Sequence, residues 1–330
     1  MKRLAIIFAW SVLFAVPVAA QREPAPPRLE VEVRPFDEAG PWKRRLALRS
    51  LRAQEVVLDR RLLELTVIEP RDRGRPRRHT CRHPNAPRRP ADERVRAMNA
   101  GESYEEWLDL RELCWGRALD VLERGEATVE VTYGFRARSA FVVREEGERR
   151  APHRVDGASF TFTPPAASPA AEGSESPEVS VTLARVSTSR SPTLRVTLRG
   201  EGAGRAKRVY VRDDLFAFEV HGPLGTVRCE PSRTTIVPIV DFYKRLSRPI
   251  RTTIASELRC PDDTFEVPGV YEVVPRVDLV YDGTRYDLDA LTGRFVGTAA
   301  PIRITSRSYV EQRVEDLLAI LRPSSEEPSP

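Results

Sequence analysis

Apolar residues recur at every second position along one stretch of this chain, and then do so again in the same order. Val209-Tyr210-Val211-Arg212-Asp213-Asp214-Leu215-Phe216-Ala217-Phe218-Glu219-Val220 alternates, turns at two charges and alternates once more. Val56-Val57-Leu58-Asp59-Arg60-Arg61-Leu62-Leu63-Glu64-Leu65-Thr66-Val67 repeats that pattern. A period of two marks a half-buried strand, and a charged pair between two such runs marks a corner exposed to water. The pattern predicts a strand–corner–strand unit used twice, in two domains of related design.

The echo extends both ways. Upstream, Leu46-Ala47-Leu48-Arg49 matches Leu194-Arg195-Val196-Thr197-Leu198-Arg199 in character. Downstream, each copy carries two cysteines, Cys81 with Cys114 and Cys229 with Cys260, and then a glycine, Gly125 or Gly269, that opens an alternating run. Each copy closes on a short alternating strand, Ser159-Phe160-Thr161-Phe162 or Pro301-Ile302-Arg303-Ile304. Looking for such repeats precedes other assignments, because a missed repeat changes the fold.

Between these runs the pattern breaks in four places. Pro70 to Arg96 holds ten arginines against Asp72, Asp92 and Glu93, with prolines at 76, 84, 87 and 90. It shows no periodicity and is expected to be a long exposed loop, 70–96, of the kind that is functional or disordered. Tyr104 to Leu113 fits a short helix and a strand equally. Pro164 to Pro177 is rich in Pro, Ala and Glu, cannot bury a core and reads as a linker. Residues 308–322 are expected to be an amphipathic helix: Ser308 with Glu311 makes a capping box, and Val310, Val314, Leu317, Leu318 and Leu321 share one face. Residues 323–330 form a polar tail.

The start of the chain changes the compartment. Lys2 and Arg3 precede an apolar run, Leu4 to Val16, and the small residues Val18-Ala19-Ala20 precede Gln21, which is the layout of a secretory signal peptide over 1–20. The run falls short of the roughly 20 residues of a membrane span, which disfavours an uncleaved anchor. The expected location is periplasmic or secreted. Four cysteines in an exported chain imply two disulfides with three pairings open. The repeat selects one bridge per copy, Cys81–Cys114 and Cys229–Cys260. The net charge of +5 is too mild to name a partner. The 28 prolines among 330 residues favour strands and loops over helices.

The expected fold class is all-β, two tandem antiparallel sandwiches spanning 28–163 and 178–305, followed by the C-terminal helix. The turn Asn99-Ala100-Gly101-Glu102-Ser103, the run ending Leu108-Asp109-Leu110, and Gly125 with the strand to Tyr133 give each copy a resemblance to immunoglobulin-like or fibronectin-type accessory domains of secreted bacterial proteins. The second copy keeps Pro268-Gly269-Val270-Tyr271 but has Ser247-Arg248-Pro249 at the turn, and no Trp lies between its cysteines. The resemblance implies a sandwich and carries no catalytic residues.

Candidate chemistry is sparse. No nucleophile elbow, zinc-protease helix, Walker A or dinucleotide fingerprint occurs. His79-Thr80-Cys81-Arg82-His83 offers two imidazoles and a thiol, but the disulfide claims Cys81 and the surrounding arginines repel a cation, so no metal site is assigned. Asp282, Asp287 and Asp289 miss the calcium-loop spacing and read as a solvated hairpin. No cofactor and no enzymatic activity are expected. The candidate binding residues are Arg71, Arg73, Arg75, Arg77, Arg78, Arg82, Arg88 and Arg89, since clustered arginines bind carboxylates, sulfates and phosphates bidentately. The simpler account of that segment, placed first, is a solvated loop in an arginine-biased chain. The expected function is therefore a non-catalytic binding or structural protein of the envelope. The alternatives are an accessory or inhibitor-like module of a secreted partner, and polyanion binding through 70–96. An envelope protein or an anionic glycan suits those readings; nucleic acid is disfavoured because no aromatic residue interleaves the arginines.

Overall fold

The computed structural model describes residues 28–36, 40–71, 73–87, 94–135, 154–164, 178–230 and 237–305. The expected leader 1–20, Arg88 and Arg89, the expected linker beyond Pro164, the expected helix 308–322 and the tail lie outside the described residues.

Among the described residues the first half contributes ten strands: β1 (Leu29–Pro35), β2 (Lys43–Ser50), β3 (Gln54–Val57), β4 (Leu63–Glu69), β5 (Arg77–Arg82), β6 (Val95–Met98), β7 (Ser103–Asp109), β8 (Ala127–Gly134), β9 (Arg154–Asp156) and β10 (Phe160–Phe162). The second contributes β11 (Val179–Leu183), β12 (Val186–Thr188), β13 (Thr193–Gly200), β14 (Arg208–Tyr210), β15 (Phe216–Gly222), β16 (Gly225–Cys229), β17 (Tyr243–Arg245), β18 (Ile250–Ala255), β19 (Gly269–Leu279), β20 (Gly293–Val296) and β21 (Ala300–Ile304). The strands of the first half form a sheet in the order β1-β2-β7, a sheet in the order β10-β8-β4-β5, and a small pair β3-β6. Those of the second half form β11-β13-β18, β21-β19-β15-β16 and β14-β17, so the antiparallel orders correspond element for element. The second half adds β12, which runs parallel to β21 at the sheet edge.

Alternation explains which face each strand buries. Leu29, Val31 and Val33 of β1 point inward, and so do Leu46 and Leu48 of β2 and Val129, Val131 and Tyr133 of β8. Burying side chains of this size contributes about 1.5–3 kcal/mol each. The main buried clusters run from Leu29 to Phe162 and from Val179 to Ile304, with no member in common, and a small third one gathers Tyr210, Tyr243 and Ala290. Where the chain leaves one sheet to touch the other, it uses glycine. A Cβ on Gly157 would stand 2.6 Å from the Val31 carbonyl oxygen, and Gly297 crowds the Val181 carbonyl oxygen in the same way.

Each strand–corner–strand unit turns through a short 3-10 segment, Arg60–Leu62 or Asp213–Leu215. In the first, the Asp59 carboxylate accepts from the Arg61 N–H. Tyr133, fully buried, bolts this corner: its hydroxyl donates to the Val57 carbonyl at 2.6 Å and accepts from the Asp59 N–H at 2.9 Å. The second corner packs instead into an aromatic group, with Tyr210 4.6 Å from Tyr281 and 5.1 Å from Tyr243.

One expectation needs correction, and one open alternative is decided. The segment 70–96 is not one structureless loop, because β5 and β6 lie within it. Its pattern is obscured because β5 is an edge strand whose outer face is charged, leaving Cys81 as its single fully buried residue. Residues 104–113 are both strand and helix: β7 ends at Asp109, whose side chain caps the turn α1 (Leu110–Leu113) by accepting from the Arg111 N–H. A second helix, α2 (Arg117–Arg124), fills the space before Gly125, with Ala118, Leu119, Val121 and Leu122 buried. Both disulfides pair as the repeat requires, Cys81–Cys114 and Cys229–Cys260.

The halves touch through α1, which packs on β19. Arg111 is buried, donates to Asp109 at 2.8 and 3.0 Å, and forms an ion pair with Glu272 of β19. Burial alone would depress the Arg111 guanidinium; the hydrogen bonds to Asp109 and the nearby Glu272 carry it above its ordinary range instead. Arg185 bridges Asp120 and Glu123 of α2 from the other side, but that pair is exposed and adds little. Asp109 is 2% exposed, so losing Arg111 would strip a buried carboxylate of its main partner. Arg111→Met is expected to lower stability in urea by about 3–5 kcal/mol. Glu272→Gln, acting on a partly exposed partner, should cost about 1 kcal/mol or less. Equal losses would show that Lys43, 3.5 Å from Asp109, suffices for it.

Candidate functional site

The basic segment is built on the hairpin of β4 and β5. Antiparallel pairing from Glu64↔Arg82 to Glu69↔Arg77 fixes which arginines share a face. On the outer face Arg78 meets Glu130 of β8, with Nη1 donating at 3.0 Å and Nη2 closer still. Arg82 Nε donates to Glu64 at 2.5 Å, and Arg154 of β9 reaches the same carboxylate at 3.2 Å. On the other face His79 Nε2 lies 2.8 Å from Glu69, which also accepts from Arg124 of α2 at 2.8 Å and faces Arg117 at 3.6 Å.

These carboxylates divide the predicted binding residues. Arg78 and Arg82 are each matched to an acid across the sheet. Arg71, Arg73, Arg75 and Arg77 are exposed at the hairpin tip and make no ion pair among the described residues. Gly74, at φ +89°, lets the tip turn where a side chain would be strained. Arg88 and Arg89 lie outside the described residues, so the structure brings four of the eight together at one tip.

The remaining sequence candidates have other employment. Cys81 is in its disulfide, and His79 is held by Glu69. Asp282 accepts from the N–H and hydroxyl of Thr284, at 3.0 and 2.9 Å, and Asp289 pairs with Lys207 at 2.7 Å. Among the described residues, no three His, Cys, Asp or Glu side chains converge as a metal requires. No helix among them is long and apolar enough to cross a membrane.

A second charged group, which sequence reasoning missed, sits where the halves meet. Arg60, His83 and Glu112 of the first half face Arg303 of β21. Arg60 pairs with Glu112 at 3.3 Å and Glu106 at 3.6 Å. Burial pushes the Glu112 carboxyl up and, with Arg61 and Arg60 nearby, pulls His83 down to about 4. Arg303 carries no local signal of this role. It occupies the polar position of an alternating strand, which reads as solvent-facing until the first half covers it.

No protein-family model and no curated protein matches this chain.

The contacts of Glu69 generate a pH dependence. The hydrogen bond from His79, then that from Arg124, hold its carboxyl well below the ordinary 4.5, at about 2. A depressed folded-state value contributes stability that is complete above about pH 4.5 and is lost as pH falls toward 2. Glu69→Gln should therefore lose less stability than the wild type between pH 6 and pH 2.5 in urea unfolding. Parallel losses in the two proteins would show that Glu69 is not depressed in the folded state.

Proposed function

We propose that this chain is an exported, non-catalytic binding protein built from two tandem immunoglobulin-like or fibronectin-type sandwiches, spanning 28–163 and 178–305. Its ligand contact is the β4–β5 hairpin tip, which takes an anionic polysaccharide. The observation that carries the reading is the division of the arginines: Arg78 and Arg82 are matched by carboxylates, and Arg71, Arg73, Arg75 and Arg77 are exposed without one among the described residues. Guanidinium groups gathered on a projecting turn suit a linear polymer bearing sulfates or carboxylates, each contacted bidentately.

The strand orders support the architecture. A three-stranded sheet facing a larger one, with β1 beside β2 and β10 beside β8 in the first half, and β11 beside β13 and β21 beside β19 in the second, suits the fibronectin-type arrangement in both halves. The matching close approaches at Gly157 and Gly297 support descent of both halves from one duplicated unit. Two intrachain disulfides support passage through an oxidising compartment, in keeping with the leader-like start of the chain.

The test is binding to a sulfated glycan such as heparin, followed by calorimetry at fixed ionic strength. Replacing Arg71, Arg73, Arg75 and Arg77 together by Ser should weaken binding at least about tenfold, corresponding to loss of a few charge-assisted contacts, and leave the melting temperature in place. Replacing Arg78 and Arg82 should weaken it far less. Undiminished binding by the fourfold variant would remove the hairpin tip from the ligand contact.

A further inference from the structure

Arg303, at the seam between the halves, makes no ion pair among the described residues. It lies between buried Ile302 and Ile304 on β21 and projects toward the first half. Its Nε donates to the Ser187 hydroxyl at 2.9 Å, its Nη1 donates to the Glu112 carbonyl at 3.1 Å, and its plane sits 4.8 Å from the Trp115 ring. Every one of these partners is neutral. No carboxylate lies within ion-pair distance of it among the described residues. Burial lowers its pKa to about 10, the mark of a cation that has lost water without gaining a counter-charge.

The cavity beside it, about 20 Å³, is lined by Arg60, His83, Glu112, Gly269, Arg303 and Thr305. His83 Nδ1 accepts from the Asn85 N–H at 3.1 Å, which places the proton of the neutral ring on Nε2 and makes that nitrogen a donor. Glu112 opposes an anion, but its carboxylate is already engaged by Arg60 at 3.3 Å. A cavity of this size holds one water-sized particle, too little for a phosphate or a carboxylate-bearing molecule.

We propose that this cavity is a binding site for a single monatomic anion of the halide class, held by Arg303 from the second half and His83 from the first. The anion supplies the charge that Arg303 lacks and, by contacting both halves, favours their docked arrangement. A ligand that binds only the docked, folded form raises stability by mass action.

The experiment uses the full chain. At fixed ionic strength, gluconate is replaced stepwise by bromide and thermal unfolding is followed; crystals grown in bromide are examined for anomalous scattering. The expected result is a melting temperature that rises by about 3–5 °C per tenfold increase in bromide beyond half-saturation, with an anomalous peak between Arg303 and His83. Arg303→Gln should abolish both. Should that variant fail to fold, His83→Phe decides, since it keeps the guanidinium, removes a donor and fills space; the bromide response should shrink severalfold. A wild type indifferent to bromide, a cavity without an anomalous peak, or a response unchanged in His83→Phe would each overturn the proposal.

Discussion

The Cys81–Cys114 bridge is the constraint on which the first half and its contacts depend. Cys81 belongs to β5, the edge of one sheet, and Cys114 follows α1 at the end of β7, the edge of the other. The bond ties two sheets at their margins, where pairing is weakest. It closes a loop 33 residues long, which contributes about 3–4 kcal/mol in the chain-entropy account. The second half repeats the device between β16 and the turn after β18.

The first bridge also positions the turn that carries contact between the halves. Arg111, Glu112 and Trp115 all lie within three residues of Cys114. Arg111 reaches Glu272, the Glu112 carbonyl accepts from Arg303, and Trp115 lies against the Arg303 guanidinium. A turn free to shift would leave Asp109 and Arg111 buried without reliable partners, at a cost of several kcal/mol.

The arginine bias of the chain has different outcomes in different surroundings. On the sheet surface, Arg78 finds Glu130 two strands away, and Arg82 and Arg154 find Glu64 one and two strands away; such surface pairs add little stability. At the hairpin tip, Glu69 is taken up by His79 and Arg124, and Arg71, Arg73, Arg75 and Arg77 make no ion pair among the described residues. At the seam, Arg303 finds neutral acceptors and an indole. Composition alone treats these arginines alike; neighbouring strands distinguish them.

Period-two alternation, read locally, determined that the chain forms strands, where its first corner turns, and which cysteines pair. These features depend on residues close in sequence or on a pattern written twice. Val56 to Val67 became β3, a 3-10 corner and β4 because each position's face follows from its parity. Tertiary structure alone decided the rest. Edge strand β5 hid its period because its outward face is charged and paired across the sheet. Helix α2 was legible only as Ala118, Leu119, Val121 and Leu122, too short a stretch to assign without the strands it covers. Asp109 and Arg111 are buried together as an ion pair, which no local pattern marks. Arg303 stands at a polar position of a strand, and the approach of a turn 191 residues earlier partly covers it. Long-range burial leaves no trace in local periodicity, because the neighbour that causes it is distant in sequence.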